Sequence, residues 1–411
     1  MKLHSLEIKN FRAIDKICLD FTDYYGHPRP ISLIVGPNSS GKTSILDAIH
    51  IIVKVFEKSD QLELRDGLKY AARQLVRRKM SRYEEELTKP ELREGLQFRT
   101  QQLVRGKGNI CEIGFSYSIE KYEAKAINEA LFALELPQYF EFLAVDQPPL
   151  NKPSKVIWRF PNIYSPSKKL YSSENIEYIP ENSLGVLGAR GLASTALSLD
   201  RLNPEIFDRI GGVCYLDQRR TVRLFNNITH KDNKKNNPHN DVLSWLNDYY
   251  RKDLTWNEQK YGESYWKRVK RLFNKICFPS ELIGLESGPV SDTLIIKRNG
   301  MEYDLNQMSS GEHQVLRILV GLAADTAKNS IVLIDEVELH LHPTWQKRLI
   351  QVLREDESNN QYIFTTHSAT VLEMFYDFEI ISLGNLEEES SVARKKNNEA
   401  RKKNNEDWQK R

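Results

Sequence analysis

The sequence predicts an α/β fold in which buried parallel strands carry a phosphate-binding loop, and three observations predict it. The first is Gly36-Pro37-Asn38-Ser39-Ser40-Gly41-Lys42-Thr43, which satisfies the pattern G-x-x-x-x-G-K-[ST]. It lies between an apolar run from Ile31 to Val35 and a segment from Ser44 to Val53 whose apolar residues recur at helical spacing. The second is Ile331-Val332-Leu333-Ile334-Asp335-Glu336, an apolar strand ending in two adjacent carboxylates. The third is Tyr362-Ile363-Phe364-Thr365-Thr366-His367, another short strand ending in a histidine.

Each element has a chemical reason for its residue types. Glycines let the backbone curl until successive N–H groups face a phosphate chain, and the helix N-terminus adds partial positive charge. Asn38, Ser39, Ser40, Gly41, Lys42, Thr43 and Ser44 are therefore expected to cradle the phosphates of ATP. Lys42 would reach the β- and γ-phosphates, and the Thr43 hydroxyl would ligate Mg2+. Asp335 is expected to help hold the hydrated magnesium, and Glu336 to polarise a water against the γ-phosphate.

A further segment, Met308-Ser309-Ser310-Gly311-Glu312, precedes a helix-like run from Val315 to Val320. A P-loop, a serine-glycine signature, an Asp-Glu strand end and then a histidine after the next strand is an order that resembles the heads of ABC-type ATPases. The signature departs from the usual L-S-G-G-Q, with Met308 for Leu, Ser310 for the first Gly and Glu312 for Gln. That variant is similar to the one in overcoming-lysogenisation-defect (OLD)-like and SMC/RecF-like ATPases. Three more segments agree with it: the opening run from Leu3 through Asn10-Phe11-Arg12 to Ile14, the D-loop-like Glu338-Leu339-His340-Leu341-His342-Pro343, and a hairpin from Leu294 to Tyr303 on the Asn299-Gly300 turn.

The resemblance implies an ABC-type P-loop NTPase head with a mixed central sheet, an antiparallel β layer and a large, mainly helical insertion. The head would comprise residues 1–55 and 285–390, with the insertion at 56–284 and a basic low-complexity tail at 391–411. It implies hydrolysis of ATP to ADP and phosphate, with Glu336, His367 and Lys42 as catalytic residues and His367 sensing the γ-phosphate. Arg12 would approach the phosphates, although a surface residue after a strand is the simpler reading. Ser309, Ser310 and Gly311 would complete the site of a second copy, giving a dimer with composite sites or a larger even-numbered ring. The run Val213–Leu216 leads into a polar loop where a Q-loop would stand, and Gln218 is the candidate there for sensing magnesium and the attacking water. His340 and His342 alternate with leucines, which suggests metal ligands. No Cys or Asp stands near at ligand spacing, so packing and D-loop roles are favoured.

Composition sets outer limits. A chain of 411 residues allows two to three domains' worth of core, and a net charge of +3 does not announce nucleic acid. Cys18, Cys111, Cys214 and Cys277 are scattered without a C-x-x-C pair, as expected of a reduced cytoplasmic chain. No apolar run approaches the ~20 residues that span a bilayer, so no membrane partner is expected. Residues 57–107 are charge-rich and helical in pattern, either solvated helix faces or a basic surface for DNA or an acidic partner. Residues 109–119 read as a strand of the antiparallel layer, while 120–205, with Pro148, Pro149, Pro153, Pro161 and Pro166, suggest no chemistry. The basic stretch holding Arg219, Arg220, Arg223, Lys231, Lys234 and Lys235 is either a phosphate-gripping loop or a solvated one. Aromatics crowd residues 240–276, more in the manner of a packed or partner-binding face than of a base-stacking platform.

The tail repeats Ala-Arg-Lys-Lys-Asn-Asn-Glu at 393–399 and 400–406. The stretch beyond His367 is too short for the Toprim nuclease domain of OLD nucleases. The expected role is therefore an ATPase subunit of a bacterial anti-phage system of the Septu or PARIS kind, with a separate nuclease of HNH or Toprim type. A RecF/SMC-like DNA maintenance ATPase is the alternative, and a nucleotide-dependent scaffold the third reading.

Overall fold

A computed structural model of the chain describes residues 1–54, 103–106, 109–133, 153–160, 176–179, 187, 189–198, 201–218, 238–287, 292–323 and 328–384. Most of the charge-rich stretch after the P-loop helix, most of the proline-rich stretch, the basic segment at 219–237 and the C-terminal tail lie outside the described residues.

The strands run in chain order as β1 (Lys2–Phe11), β2 (Ile14–Asp20), β3 (Ile31–Val35), β4 (Cys111–Ser118), β5 (Ser154–Phe160), β6 (Ile176–Ile179) and β7 (Val213–Leu216). After these come β8 (Glu281–Ser287), β9 (Asp292–Arg298), β10 (Met301–Asp304), β11 (Ile331–Ile334), β12 (Gln361–Thr365) and β13 (Ile380–Ser382). The central sheet has the order β13-β3-β12-β11-β7. It was expected to be mixed, yet every pair among its described strands is parallel. Antiparallel pairing is confined to a separate layer of order β2-β1-β4-β5-β6 and to the small sheet β10-β9-β8. The crossover connections explain the parallel sheet, because strands joined through helices can all point the same way.

The central strands are apolar throughout because both faces are covered. On β11, Ile331 and Leu333 enter one core while Val332 and Ile334 enter the other. On β12, Ile363 faces the first core and Tyr362 and Phe364 the second. The first core lies against the antiparallel layer, whose β5 alternates buried Val156, Trp158 and Phe160 with outward Lys155, Ile157 and Arg159. The P-loop helix, residues 42–54, fills this core with Ile45, Leu46, Ile49, Ile52 and Val53. The second core is closed by helices Pro238–Asp253, Tyr265–Cys277, Ser310–Ala323 and Pro343–Arg354 and by the small sheet.

The stretch expected as an insertion is woven into the head: β4, β5 and β6 extend the antiparallel layer, and β7 edges the central sheet. The Asn299-Gly300 hairpin forms as read, with Arg298 opposite Met301 and positive φ at both turn residues, 53° and 84°. The aromatics of 240–276 pack between two helices, Tyr249 against Tyr265 at 5.4 Å and Tyr250 edge-on to Trp266 at 5.1 Å between ring centroids. Among the described residues no helix is long and apolar enough to cross a membrane.

Candidate active site at the carboxyl ends of the parallel strands

Four strands of the central sheet deliver the expected residues to one end. The P-loop follows β3, Gln218 follows β7, Asp335 and Glu336 follow β11, and His367 follows β12. In a parallel sheet this is the end at which ligands bind, since loops there open next to helix N-termini.

The space around its glycines keeps the loop tight. Gly41 has a φ of +95°, and a Cβ on it would stand 3.1 Å from Ile14. A Cβ on Gly36 would come within 3.0 Å of the Leu383 carbonyl and 2.8 Å of Ser40 Oγ. Asn38, Ser39 and Ser40 form the turn between them, Ser39 at a φ of 64°, and Ser44 lies in the first turn of the helix. Lys42 is 6% exposed and curls back, its Nζ donating to the carbonyls of Gly36 at 2.8 Å and Pro37 at 2.9 Å. Burial pulls its pKa below the ordinary lysine value, and Asp335, Glu336 and Glu338 oppose that shift.

A chain of hydrogen bonds ties the strand ends together. The Thr43 hydroxyl donates to Asp335 Oδ2 at 2.9 Å, and the Thr365 hydroxyl donates to Asp335 Oδ1 at 2.6 Å. The Glu336 N–H donates to Thr365 Oγ1 at 2.8 Å, and Gln218 Nε2 donates to Glu336 Oε1 at 3.0 Å. Glu336 has a φ of 47°, a left-handed conformation that non-glycine residues adopt at a cost of about 1–2 kcal/mol. That twist turns the chain out of β11 and aims the carboxylate at Gln218. Thr43 and Asp335 supply the hard oxygen donors that Mg2+ prefers, and the glycine cradle fits a phosphate chain.

Thr365 and Glu338 were not singled out from sequence. Glu338 accepts from the Thr366 hydroxyl at 2.7 Å and from the His367 N–H at 2.6 Å, so it holds the turn that exposes the His367 ring. The available signals were the Thr365-Thr366 pair before the histidine and a third carboxylate two residues past Glu336. Arg12 is the residue whose position differs most from its expectation. It sits in the β1–β2 turn at a φ of 49°, over the Phe11 ring, and pairs with Asp47 of the P-loop helix. Burial raises the Asp47 pKa, and Arg12 counteracts the rise. His342 is the N-cap of helix Pro343–Arg354, its Nδ1 accepting from the Thr344 N–H at 3.3 Å.

The signature stands apart. Ser309 and Ser310 are exposed at the N-terminus of helix Ser310–Ala323. Ser309 and Glu312 form a reciprocal cap: the Ser309 N–H and hydroxyl both donate to Glu312 Oε2, at 2.8 and 2.9 Å, and the Glu312 N–H returns to Ser309 Oγ at 3.3 Å. Gly311 must be glycine, because a Cβ would meet the His340 carbonyl at 2.8 Å and the Trp345 ring at 3.3 Å. The signature is thereby clamped to the D-loop, while Ser309 bonds to Glu312 and accepts the His313 N–H at its carbonyl.

A parallel sheet bearing a P-loop, an Asp-Glu strand end and a histidine after the next strand defines a P-loop ATPase head. The family described as "AAA domain, putative AbiEii toxin, Type IV TA system" matches residues 166–373, half of the chain, and "AAA ATPase domain" matches residues 1–134. The chain belongs to this family of AAA ATPase domains. The "Retron Vc95 probable ATPase" of Vibrio cholerae serotype O1 biovar El Tor is 29% identical to it over 163 residues, 35% of this chain and 30% of that protein. The "Septu protein PtuA" of Bacillus thuringiensis is 32% identical over 117 residues, 25% of this chain and 29% of that protein. The chain thus matches less than a third of the length of these curated relatives. The structure described as "Crystal structure of the SmcHead bound to the C-winged helix domain of ScpA" aligns with 93% of this chain and 94% of its own, at 14% identity and a TM-score of 0.48. That likeness is too loose to add to the strand order above.

Proposed function

We propose that this chain is the ATP-binding and ATP-hydrolysing regulatory subunit of a bacterial anti-phage defence complex, controlling a separate nuclease of HNH or Toprim type. The observation that carries the enzymatic half is the hydrogen-bonded chain Thr43–Asp335–Thr365–Glu336–Gln218 beside the P-loop. Such a chain fixes a carboxylate near the γ-phosphate position before any substrate arrives, which is what preorganised catalysis requires. The likeness to a retron ATPase and to Septu PtuA supports the defence half.

In this reading the backbone of residues 38–44 binds the phosphates and Lys42 neutralises the β- and γ-oxygens. Thr43 and Asp335, with Gln218 beside them, hold Mg2+, which supplies charge compensation on the phosphates when bound. Glu336 orients a water and accepts its proton, Gln218 fixes the Glu336 carboxylate, and His367 donates to the γ-phosphate. Arg12, held by Asp47 of the P-loop helix, would approach the phosphates from the β1–β2 turn. The exposed Ser309 and Ser310, with the buried Gly311 behind them, face the γ-phosphate bound by a second copy, so the functional unit is a dimer with two composite sites, alone or within a larger even-numbered assembly.

The alternative, a RecF- or SMC-like ATPase acting on DNA directly, is less well supported by the outer face of the antiparallel layer. Among the described residues three of its cations are paired: Lys155 with Glu7 at 2.7 Å, and Lys9 and Arg159 with Glu112 at 2.6 and 2.8 Å. The test is expression of the gene with and without its genomic neighbours, followed by phage challenge and by nuclease assay of the purified chain. Protection that needs both a neighbouring nuclease and Lys42, with ATPase but no cleavage by the chain alone, is expected. Unchanged phage sensitivity in the full set of neighbours overturns the defence reading, and cleavage by a preparation free of other polypeptides overturns the two-component arrangement.

A further inference from the structure

The carboxylate of Glu312 has no part in the chemistry of the P-loop site, yet it is only 2% exposed and fully engaged. Its Oε2 accepts both the N–H and the hydroxyl of Ser309, and its Oε1 accepts the Tyr303 hydroxyl at 2.6 Å. Tyr303 belongs to β10, so the small sheet and the signature helix meet at this one side chain. Burial by itself would raise the Glu312 pKa, but hydrogen bonds from Tyr303, Ser280 and Ser309 together outweigh burial and hold it below the ordinary glutamate value. The Tyr303 hydroxyl and the Ser309 N–H and hydroxyl all donate to its two oxygens, the pattern that an ionised carboxylate accepts.

This charge has two physical consequences for Ser309. Its hydroxyl hydrogen is committed to a carboxylate, an acceptor that competes on equal terms with a phosphate oxygen. The helix N-terminus behind it carries partial positive charge suited to an anion, and a carboxylate at the third position of the helix already satisfies that charge. An amide in the same place would accept the Ser309 N–H equally well while contributing no charge.

We propose that Glu312 is a positioning residue that restrains engagement of the signature with a phosphate: it presents Ser309 in a fixed geometry and electrostatically opposes closure on the γ-phosphate of a second copy. Tyr303 moderates the restraint by sharing the carboxylate's charge. The device would keep the assembly open until nucleotide occupies the opposing P-loop, making closure a thresholded event. The proposal rests on the composite-site reading above.

The experiment measures self-association of the full chain by sedimentation velocity, with a non-hydrolysable ATP analogue and magnesium and again without nucleotide. Glu312→Gln is expected to tighten nucleotide-dependent association on the order of tenfold, with no change when nucleotide is left out. Tyr303→Phe, which leaves the charge concentrated on Ser309, is expected to weaken it by a few-fold. A merely structural role for the cap would make both substitutions shift association in the same direction, or would change it without nucleotide. Association in Glu312→Gln that is unchanged or weaker, while Ser309→Arg abolishes nucleotide-dependent association, overturns the restraint but leaves the composite site standing. Nucleotide-dependent association that survives Ser309→Arg overturns the composite-site reading, and this inference with it.

Discussion

The P-loop end and the signature end of this head are built in opposite ways. At the P-loop end, groups from four strands are bonded to one another: Thr43 and Thr365 grip the two oxygens of Asp335, Thr365 receives the Glu336 N–H, and Gln218 holds the Glu336 carboxylate. At the signature end, Ser309 and Ser310 project from the first turn of a helix, and the bonds of Ser309 stay within that turn. The first arrangement is set within one chain, because a parallel sheet delivers its strand ends side by side. The second keeps the Ser309 donors within its own turn while the Ser309 and Ser310 residues stay exposed.

The largest expected effects lie at the assembled end. Lys42→Ala removes a cation whose Nζ sits inside the loop, and should weaken ATP binding on the order of a hundredfold or more, read by calorimetric titration. Glu336→Gln keeps the shape and the reach to Gln218 but loses the basic carboxylate. Its turnover should fall by ~10²-fold or more with ATP binding retained. Wild-type turnover in Glu336→Gln would move the proton-accepting role elsewhere, first to His367.

The comparison itself is broken or sharpened by mixing. Lys42→Ala and Ser309→Arg protomers are each expected to be inactive, while their mixture regains a fraction of wild-type turnover, because one composite site in the mixed dimer joins an intact loop to an intact signature. If both variants assemble and the mixture stays inactive, the signature does not serve a second copy.

A smaller effect tests the tie between strands. Thr365→Val preserves volume but strips the hydroxyl that serves both Asp335 and Glu336. Leaving those buried groups short of a partner should destabilise the fold by about 1–3 kcal/mol in denaturant titration. Turnover should fall about tenfold as Glu336 loses its anchor. Full activity with normal stability would mean the chain of hydrogen bonds is incidental.

These residues also mark how far the sequence could be read. The P-loop, β11, β12 and the hairpin were legible because each is local: a glycine spacing, an apolar run or an Asn-Gly turn specifies itself. Thr365 was not, since its role depends on Ile334 pairing beside Phe364, a register between strands far apart in the chain. Residues 109–119 were legible as a strand of the antiparallel layer, but the membership of β5 and β6 in it escaped for the same reason, and so did the parallel pairing of the described central strands. Gln218 was legible only through the order of motifs, and its bond to Glu336 is what the fold added. The reciprocal cap at Ser309 and Glu312 follows the S-x-x-E pattern that starts many helices, but its third member, Tyr303, arrives from a different sheet.

Arg12 gives the smallest and most discriminating test. It pairs with Asp47, and both side chains are largely shielded from solvent, so Arg12→Ala leaves a largely buried carboxylate without its cation. The expected loss of stability is about 1–2 kcal/mol at neutral pH, less than for a fully buried pair. Asp47 already titrates above the ordinary aspartate value because burial disfavours its charge, and removing Arg12 raises it further. A carboxyl with a raised pKa in the folded state binds its proton more tightly there than in the unfolded chain. Its neutral form therefore supports the fold at low pH, and that support is lost as pH climbs through the folded pKa. The deficit of Arg12→Ala should accordingly shrink as the pH is lowered from about 7 toward 5, and Arg12→Ala with Asp47→Asn should recover most of the stability at every pH. If Arg12 also reaches the phosphates, that double variant will keep its stability yet bind ATP more weakly than Asp47→Asn alone. Equal affinities would confine Arg12 to holding the P-loop helix against the β1–β2 turn.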